Sequence, residues 1–321
     1  MSINAKPIPA TVIGGFLGAG KTTLLNHILQ SDLPLKAAVL VNDFGSINID
    51  SQLIKNSNGK VMNLANGCIC CSIPGDLIGR IKSLLDMPDP PEYLLIEASG
   101  VSDPARIAGA LNYKIFRDKV RVDAVITLVD AEQFETVRSE YPELATLQLQ
   151  TADIVVINKI DLCSKQQLAK FRERWLPQGS VVIETHHARL PLSLLLGVDG
   201  NLHTNKHSSM EPEHRHHHNE QNNHSEQFES ISWQSDRPIH AEAVKVAIEQ
   251  LPAAVYRAKG VFTIDADTSQ RLVMQKVGAR VNWSLEPADS AGNIGSSLVL
   301  IGKKAGCDLK NIGELLEKGL F

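Results

Sequence analysis

The 321-residue chain carries 32 basic and 36 acidic side chains, a formal charge of −4, and 43% hydrophobic residues. Its length exceeds the usual ~100–200 residues of one domain, so two globular units are expected, each with its own core. The near-balanced charge leaves no electrostatic footprint for nucleic acid or an anionic membrane. No run approaches the ~18 consecutive apolar residues of a bilayer span, and the opening MSINAKPIPATVIGG lacks the blocks of a secretion signal. A soluble, cytoplasmic protein without nucleic-acid or membrane partners is therefore expected. The five cysteines are an odd number with three crowded together, which suits reduced thiols or a metal better than a disulfide framework.

In chain order, short apolar runs at 11–13, 37–41, 93–96, 124–129, 154–157 and 181–183 alternate with helical stretches. That alternation predicts a mainly parallel sheet covered by helices, with strands buried on both faces. Between Leu202 and Gln227 the composition turns to His, Asn, Glu and Ser, too polar for a packed core and expected to be a linker or a large mobile loop. After Phe228, strand-like runs at 231–233, 255–264, 279–285 and 297–301 alternate with helical stretches near 241–251 and 309–316, which predicts a small α+β domain. The expected organisation is an α/β domain over 1–200, a flexible segment over 201–227 and a C-terminal domain over 228–321.

The stretch GFLGAGKT fits G-x-x-x-x-G-K-[ST], follows a strand and precedes TLLNHIL, which has helical apolar spacing. The nucleotide-phosphate site is expected to comprise Gly15, Phe16, Leu17, Gly18, Ala19, Gly20, Lys21, Thr22 and Thr23. Glycines let the backbone N–H groups wrap the phosphates, Lys21 supplies a point charge, and the Thr22 hydroxyl suits Mg²⁺ at a helix N-terminus. LLIEASG ends an apolar strand in Glu97, where it can serve the outer shell of Mg²⁺ or the attacking water. NKID, at Asn158, Lys159 and Asp161, follows the apolar run IVVI. A carboxylate there can accept from both the ring and exocyclic N–H groups of guanine, which adenine does not offer. Mispairing of that kind discriminates by about 10⁴-fold or more. GTP is therefore expected over ATP.

In C-I-C-C, Cys68 and Cys70 fall on one side of an extended segment and Cys71 joins them through a turn. Thiolates suit Zn²⁺ or Cu(I), with Co²⁺ conceivable, and are poor ligands for Ca²⁺ or Mg²⁺. Three cysteines leave a tetrahedron open, to be completed by water, His186, a switch-loop acid or a recipient protein. Cys163 and Cys307 stand alone and are read as packing residues; His27 and His240 carry no ligand signal. The segment between Leu202 and Gln227 adds His203, His207, His214, His216, His217, His218 and His224, good ligands for Zn²⁺, Ni²⁺ and Co²⁺ in a loose, multiple arrangement.

With GFLGAGKTTLLNHIL, VNDFG, NGCICC, EASGVSDP and NKID in this order, the chain resembles the CobW-type GTPases of the SIMIBI class, a family that includes zinc-chaperone GTPases. RAKG at 257–260 and the late SLVLIGKK resemble that family's C-terminal domain, so the likeness spans nearly the whole chain. By position, Gly15 to Thr22 match the phosphate loop, Cys68, Cys70 and Cys71 the metal motif, and Asn158, Lys159 and Asp161 the base motif; Thr185 and His186 resemble the TH after a late strand. The resemblance implies GTP hydrolysis coupled to release of metal to a client metalloprotein, and a dimerising or partner-contacting protein. One departure is visible: many members read NEFGE where this chain reads Asn42, Asp43, Phe44, Gly45, Ser46. The later acid is absent and the first is shortened to Asp43, which keeps a role in the nucleotide switch.

The resulting expectation is a metallochaperone in which GTP and Mg²⁺ order the segment around Asp43 and draw the cysteine loop into a metal-competent form. Lys21, Thr22, Asp43 and Glu97 are the expected catalytic set. Zn²⁺ is the first candidate cargo and Co²⁺ the second. A metal buffer or sensor with negligible turnover is the alternative of another class, and a small-molecule kinase is disfavoured by NKID and the cysteines.

Overall fold

The computed structural model describes residues 6–31, 33, 35–41, 61–63, 75–196, 228–288 and 295–303. The chain divides into two compact units, Met1–Leu190 and Pro191–Phe321. In the first, β1 (Ile8–Gly15), β2 (Ala37–Val41), β3 (Val61–Asn63), β4 (Tyr93–Glu97), β5 (Val120–Asp130), β6 (Ile154–Asn158) and β7 (Val182–Glu184) form one sheet. The strand order is β3-β2-β4-β1-β5-β6-β7, and every neighbouring pair runs parallel. The predicted fold class is therefore what the chain adopts.

The reason is legible in the strands. AAVLV, YLLIE and IVVIN are buried along their whole length, as parallel strands covered on both faces must be. The covering helices are α1 (Lys21–Gln30), α2 (Gly75–Leu85), α3 (Pro104–Leu111), α4 (Phe134–Glu140), α5 (Pro142–Thr151) and α6 (Lys165–Trp175). Leu77, Ile81 and Leu84 of α2 pack with Ile107 and Leu111 of α3 against Val12, Leu94 and Ile96. Phe134, Ala145, Leu149 and Phe171 close a second cluster over Val129, Val155 and Ile157. Toward the amino ends of the strands, the Tyr93 hydroxyl donates to Asp123 at 2.7 Å and so accepts from Thr11, also at 2.7 Å. Buried hydroxyls are thereby satisfied inside the sheet.

The second unit holds α7 (Leu192–Leu196), β8 (Phe228–Ser235), α8 (Ala241–Glu249), β9 (Val255–Thr263), β10 (Gln270–Val277), β11 (Arg280–Pro287) and β12 (Ser296–Lys303). Its sheet is antiparallel, in the order β11-β10-β9-β12-β8. Val244 and Ile248 of α8 pack on one face against Trp233, Phe262, Leu272, Met274 and Leu298. The RAKG stretch has structural reasons here. A Cβ on Gly260 would lie 2.4 Å from the Phe262 ring, and buried Arg257 donates to the Leu194 carbonyl at 3.0 Å. The histidine-rich segment and the helix expected at 309–316 lie outside the described residues. Among the described residues no helix is long and apolar enough to cross a membrane.

Candidate functional site

Because all seven strands run parallel, their carboxyl ends share one edge of the sheet, where open α/β sheets bind ligands. Gly15, Glu97, Asp130 and Asn158 each end a strand on that edge. The loop after β1 bends sharply: φ is +129° at Gly15, +76° at Gly18 and +105° at Gly20, a region L side chains seldom adopt. Space is equally restrictive, since a Cβ would lie 2.2 Å from the Leu128 carbonyl oxygen at Gly15 and 2.4 Å from Asn158 Nδ2 at Gly20. Helix α1 starts at Lys21 after Gly20, which offers no side-chain cap, and a helix N-terminus is where anions bind.

Buried Lys21 donates from Nζ to the Phe16 carbonyl at 3.1 Å, folded over the loop it is expected to serve. Thr22 Oγ1 and Glu97 Oε1 stand 3.4 Å apart, long for an O–H···O bond. Both are oxygen donors of the kind a hard cation takes. Glu97 is buried, and in the next residues Ser99 Oγ is buried with no hydrogen-bond partner among the described residues. An unsatisfied hydroxyl beside the phosphate loop fits a polar ligand. Ala19 is buried, Thr23 exposed, and Leu17 57% exposed. The Phe16 ring lies 5.4 Å from that of Tyr141.

At the end of β6, one residue ties three segments. Asn158 Nδ2 donates to the Ala19 carbonyl at 2.9 Å, and its Oδ1 accepts from the Ala188 N–H at 2.9 Å. The phosphate loop, the NKID segment and the loop after β7 are thus clasped together. That last loop holds two consecutive non-glycine residues at positive φ, His187 (54°) and Ala188 (51°). Such strain persists only where the surroundings over-determine it, here through the Asn158 bond and the Thr185 hydroxyl donating to the Arg189 carbonyl at 2.8 Å. Lys159 sits in the left-handed region at φ 60° and its Nζ donates to Asp130 Oδ2 at 2.6 Å. Asp161 is exposed on a 3-10 turn, Ile160–Leu162, open to a ligand.

Several of these residues escape sequence reasoning. Asp130 ends β5, accepts from the N–H groups of Glu132 and Gln133 at 3.1 and 3.3 Å, and holds Lys159; its signal is only an Asp after an apolar run. Gln148, on α5, reaches the carbonyls of Gly100 and Ser102 and has no local signature at all.

Asp43, Cys68, Cys70 and Cys71 lie outside the described residues. Among the described residues no three His, Cys, Asp or Glu side chains converge as a metal site. His186 is exposed after β7, its ring 5.7 Å from that of His187. β7 is one edge of the sheet, and β3, which leads toward the cysteine motif, is the other. Cys163 is half-buried. Burial first, then the charges of Asp130, Glu132 and Asp161, push its thiol pKa up, which keeps it protonated and a poor nucleophile. His27 Nε2 lies 2.9 Å from the His187 carbonyl, so that nitrogen carries the proton; His240 pairs with Asp265 at 2.7 Å.

Residues 9–179 match the family model for the CobW/HypB/UreG nucleotide-binding domain, and residues 228–320 that for the cobalamin synthesis protein CobW C-terminal domain. The zinc chaperone CobW of a Sinorhizobium species is 31% identical over 93% of this chain and 94% of its own length. The zinc chaperone YjiA of Escherichia coli is 31% identical over 84% of this chain and 86% of its own. Among solved structures, the Zn(II)-bound YjiA GTPase of E. coli is similar at 23% identity, with a TM-score of 0.46, over 98% of this chain and 99% of that one. Carrying both the nucleotide-binding and the C-terminal domain in this order, the chain belongs to the CobW/HypB/UreG family.

Proposed function

We propose that the protein is a GTP-dependent metallochaperone that binds Zn²⁺ through Cys68, Cys70 and Cys71 and gives it to a client metalloprotein when GTP is hydrolysed. The observation that carries this reading is the strand order. β3, which leads toward the cysteine motif, lies two strands from β4, which ends in Glu97, and three from β1, which feeds the phosphate loop. At about 4.8 Å per strand, β3 is about 10 Å from β4, close enough for one switch segment to serve both. The zinc-chaperone relatives support zinc as cargo over cobalt.

The chain's own residues divide the work. Lys21 and the uncapped N-terminus of α1 hold the phosphates. Asp161 accepts from guanine, while Asn158 fixes the distance between base and phosphate ends by bonding both loops. Thr22 and Glu97 would hold Mg²⁺, which when bound neutralises charge on the phosphates. Glu97 serves the outer shell of that ion or orients the water that attacks the γ-phosphate, and Asp43 acts in the nucleotide switch. Loss of the γ-phosphate releases the switch segment, and the three thiolates, with one coordination position open, pass the ion to a docked client. That fourth position belongs to water, a switch-loop acid or the client. His186, six strands from β3 and so about 29 Å away at the sheet edges, is the least suited within one chain. Reduced thiols imply a cytoplasmic setting, and dimerisation would offer a second nucleotide-dependent surface.

The test is competitive Zn²⁺ and Co²⁺ affinity of reduced protein with Mg²⁺ and a non-hydrolysable GTP analogue, with GDP, and with no nucleotide, repeated on Cys68→Ser/Cys70→Ser. A rise only with the analogue, lost in the variant, is the expected result. Equal affinity in all three states would replace the chaperone by a metal buffer or sensor.

A further inference from the structure

We propose that Gln148 is a positioning residue for GTP hydrolysis: from α5 it holds the carbonyls of Gly100 and Ser102, and so fixes the loop after Glu97 against the phosphate loop. This rests on the reading that the chain hydrolyses GTP.

Gln148 is 4% exposed and lies on the core face of α5 beside buried Ala145 and Leu149. Packing alone would be served by leucine at this position, and a buried amide without partners is costly. The amide is matched instead. Nε2 donates to the Gly100 carbonyl at 3.3 Å and to the Ser102 carbonyl at 3.1 Å. Carbonyls only accept, so only the NH₂ end can face both, and its two hydrogens are then spent. The helix turn that carries it is pinned in its turn, because Thr127 of β5 donates to the Gln148 backbone carbonyl at 2.9 Å.

The other side of the loop is equally confined. A Cβ on Gly100 would lie 2.7 Å from the Leu17 backbone nitrogen, and one on Gly14 would lie 2.6 Å from Pro104. The Ala98 N–H donates to the Ile13 carbonyl at 2.8 Å, and Asp103 caps α3 through the Ala105 N–H at 2.9 Å. Residues 98–103 are thus held between the phosphate loop on one side and Gln148 on the other. In a trans peptide the N–H points opposite to the C=O, so drawing the Gly100 carbonyl to α5 turns the Val101 N–H away from that helix. The loop starts at Glu97, whose carboxylate meets Thr22. Holding it before nucleotide arrives is preorganisation, whose benefit appears in the chemical step rather than in ground-state binding. With both hydrogens committed, Gln148 acts through the loop and touches no reacting atom.

The test uses the full-length protein with Gln148→Leu and Gln148→Glu, measuring GTP turnover from about pH 6 to 8, GDP affinity, and amide exchange across 98–103. At about pH 8 both variants should lose about tenfold or more in kcat, with KM for GTP and GDP affinity within about twofold. Amides of 98–103 should exchange faster in both. A glutamic acid facing two carbonyls donates only when protonated, so Gln148→Glu should regain kcat relative to wild type as pH falls, while the Gln148→Leu ratio stays flat. The pH change of the Gln148→Glu ratio is read on one folded variant against wild type, so a stability loss in Gln148→Leu does not disturb it. Wild-type kcat in both variants, or an unchanged pH ratio for Gln148→Glu, overturns the assignment. Absence of GTP turnover in the wild-type protein instead overturns the GTPase reading beneath it.

Discussion

Replacing Asn158 by aspartate turns an amide NH₂ into a carboxylate oxygen, and that oxygen would face the Ala19 carbonyl rather than bond to it. The other oxygen would still accept from Ala188. The substitution is isosteric, so its cost is the lost donor and the new repulsion inside a buried site. Asn158→Asp is expected to lower guanine-nucleotide affinity by more than tenfold and to cost about 2 kcal/mol in urea unfolding. Unchanged nucleotide affinity would mean that the clasp is not part of the site. In the second unit, Lys276 is 7% exposed and its ammonium bonds the Gly278 carbonyl. Burial lowers its pKa from the ordinary 10.5. Below the lowered value both folded and unfolded chains are protonated and the burial cost is fully present. Between that value and 10.5 only the unfolded chain binds the proton, so stability rises with pH, and above 10.5 the cost is gone. Wild-type stability should therefore climb from the lowered pKa toward pH 10.5 relative to Lys276→Met, and parallel urea midpoints for the two proteins would refute it.

At the scale of elements, legibility follows from how locally each one is determined. Strands β2, β4 and β6 are apolar runs up to their last residue, and SKQQ at the start of α6 spells a capping box. The Ser164 hydroxyl accepts from the Gln167 N–H at 3.3 Å while Gln167 Oε1 accepts from the Ser164 N–H at 2.8 Å. Ser164→Ala should cost about 1 kcal/mol of stability and leave the GTP KM unchanged, as read by urea titration and turnover. β3 was not readable, because three residues, VMN, carry no period. Nor was β10: QRLVMQKV alternates Leu272 and Met274 toward the core, but buried Lys276 occupies the next position of that face and masks the pattern. The site divides the same way. GFLGAGKT and NKID are contiguous and legible, whereas the Asn158–Ala188 bond spans 30 residues and the Gln148–Gly100 bond spans 48. In PELATLQLQT the glutamine at 148 looks like its exposed neighbour Gln150; only tertiary packing distinguishes them.

For the whole molecule, coupling between nucleotide and metal has a thermodynamic signature that does not depend on the route it takes. If a GTP analogue with Mg²⁺ tightens Zn²⁺ binding by some factor, Zn²⁺ must tighten binding of the analogue by the same factor, because both measure one free energy around a closed cycle. Couplings of this kind are typically about 5- to 150-fold. In the sheet only β2 separates β3, the strand that precedes the cysteine motif in the sequence, from β4, which ends in Glu97. We expect the two factors to agree within about twofold when Zn²⁺ affinity and GTP-analogue affinity are each measured with and without the other ligand. Cys68→Ser/Cys70→Ser should reduce both factors to one together, and Thr22→Ala, which removes a hydroxyl set against Glu97, should do so from the nucleotide side. A nucleotide effect on Zn²⁺ that survives the cysteine variant would assign the coupled metal to other ligands, with the histidines of the segment between Leu202 and Gln227 the first to replace.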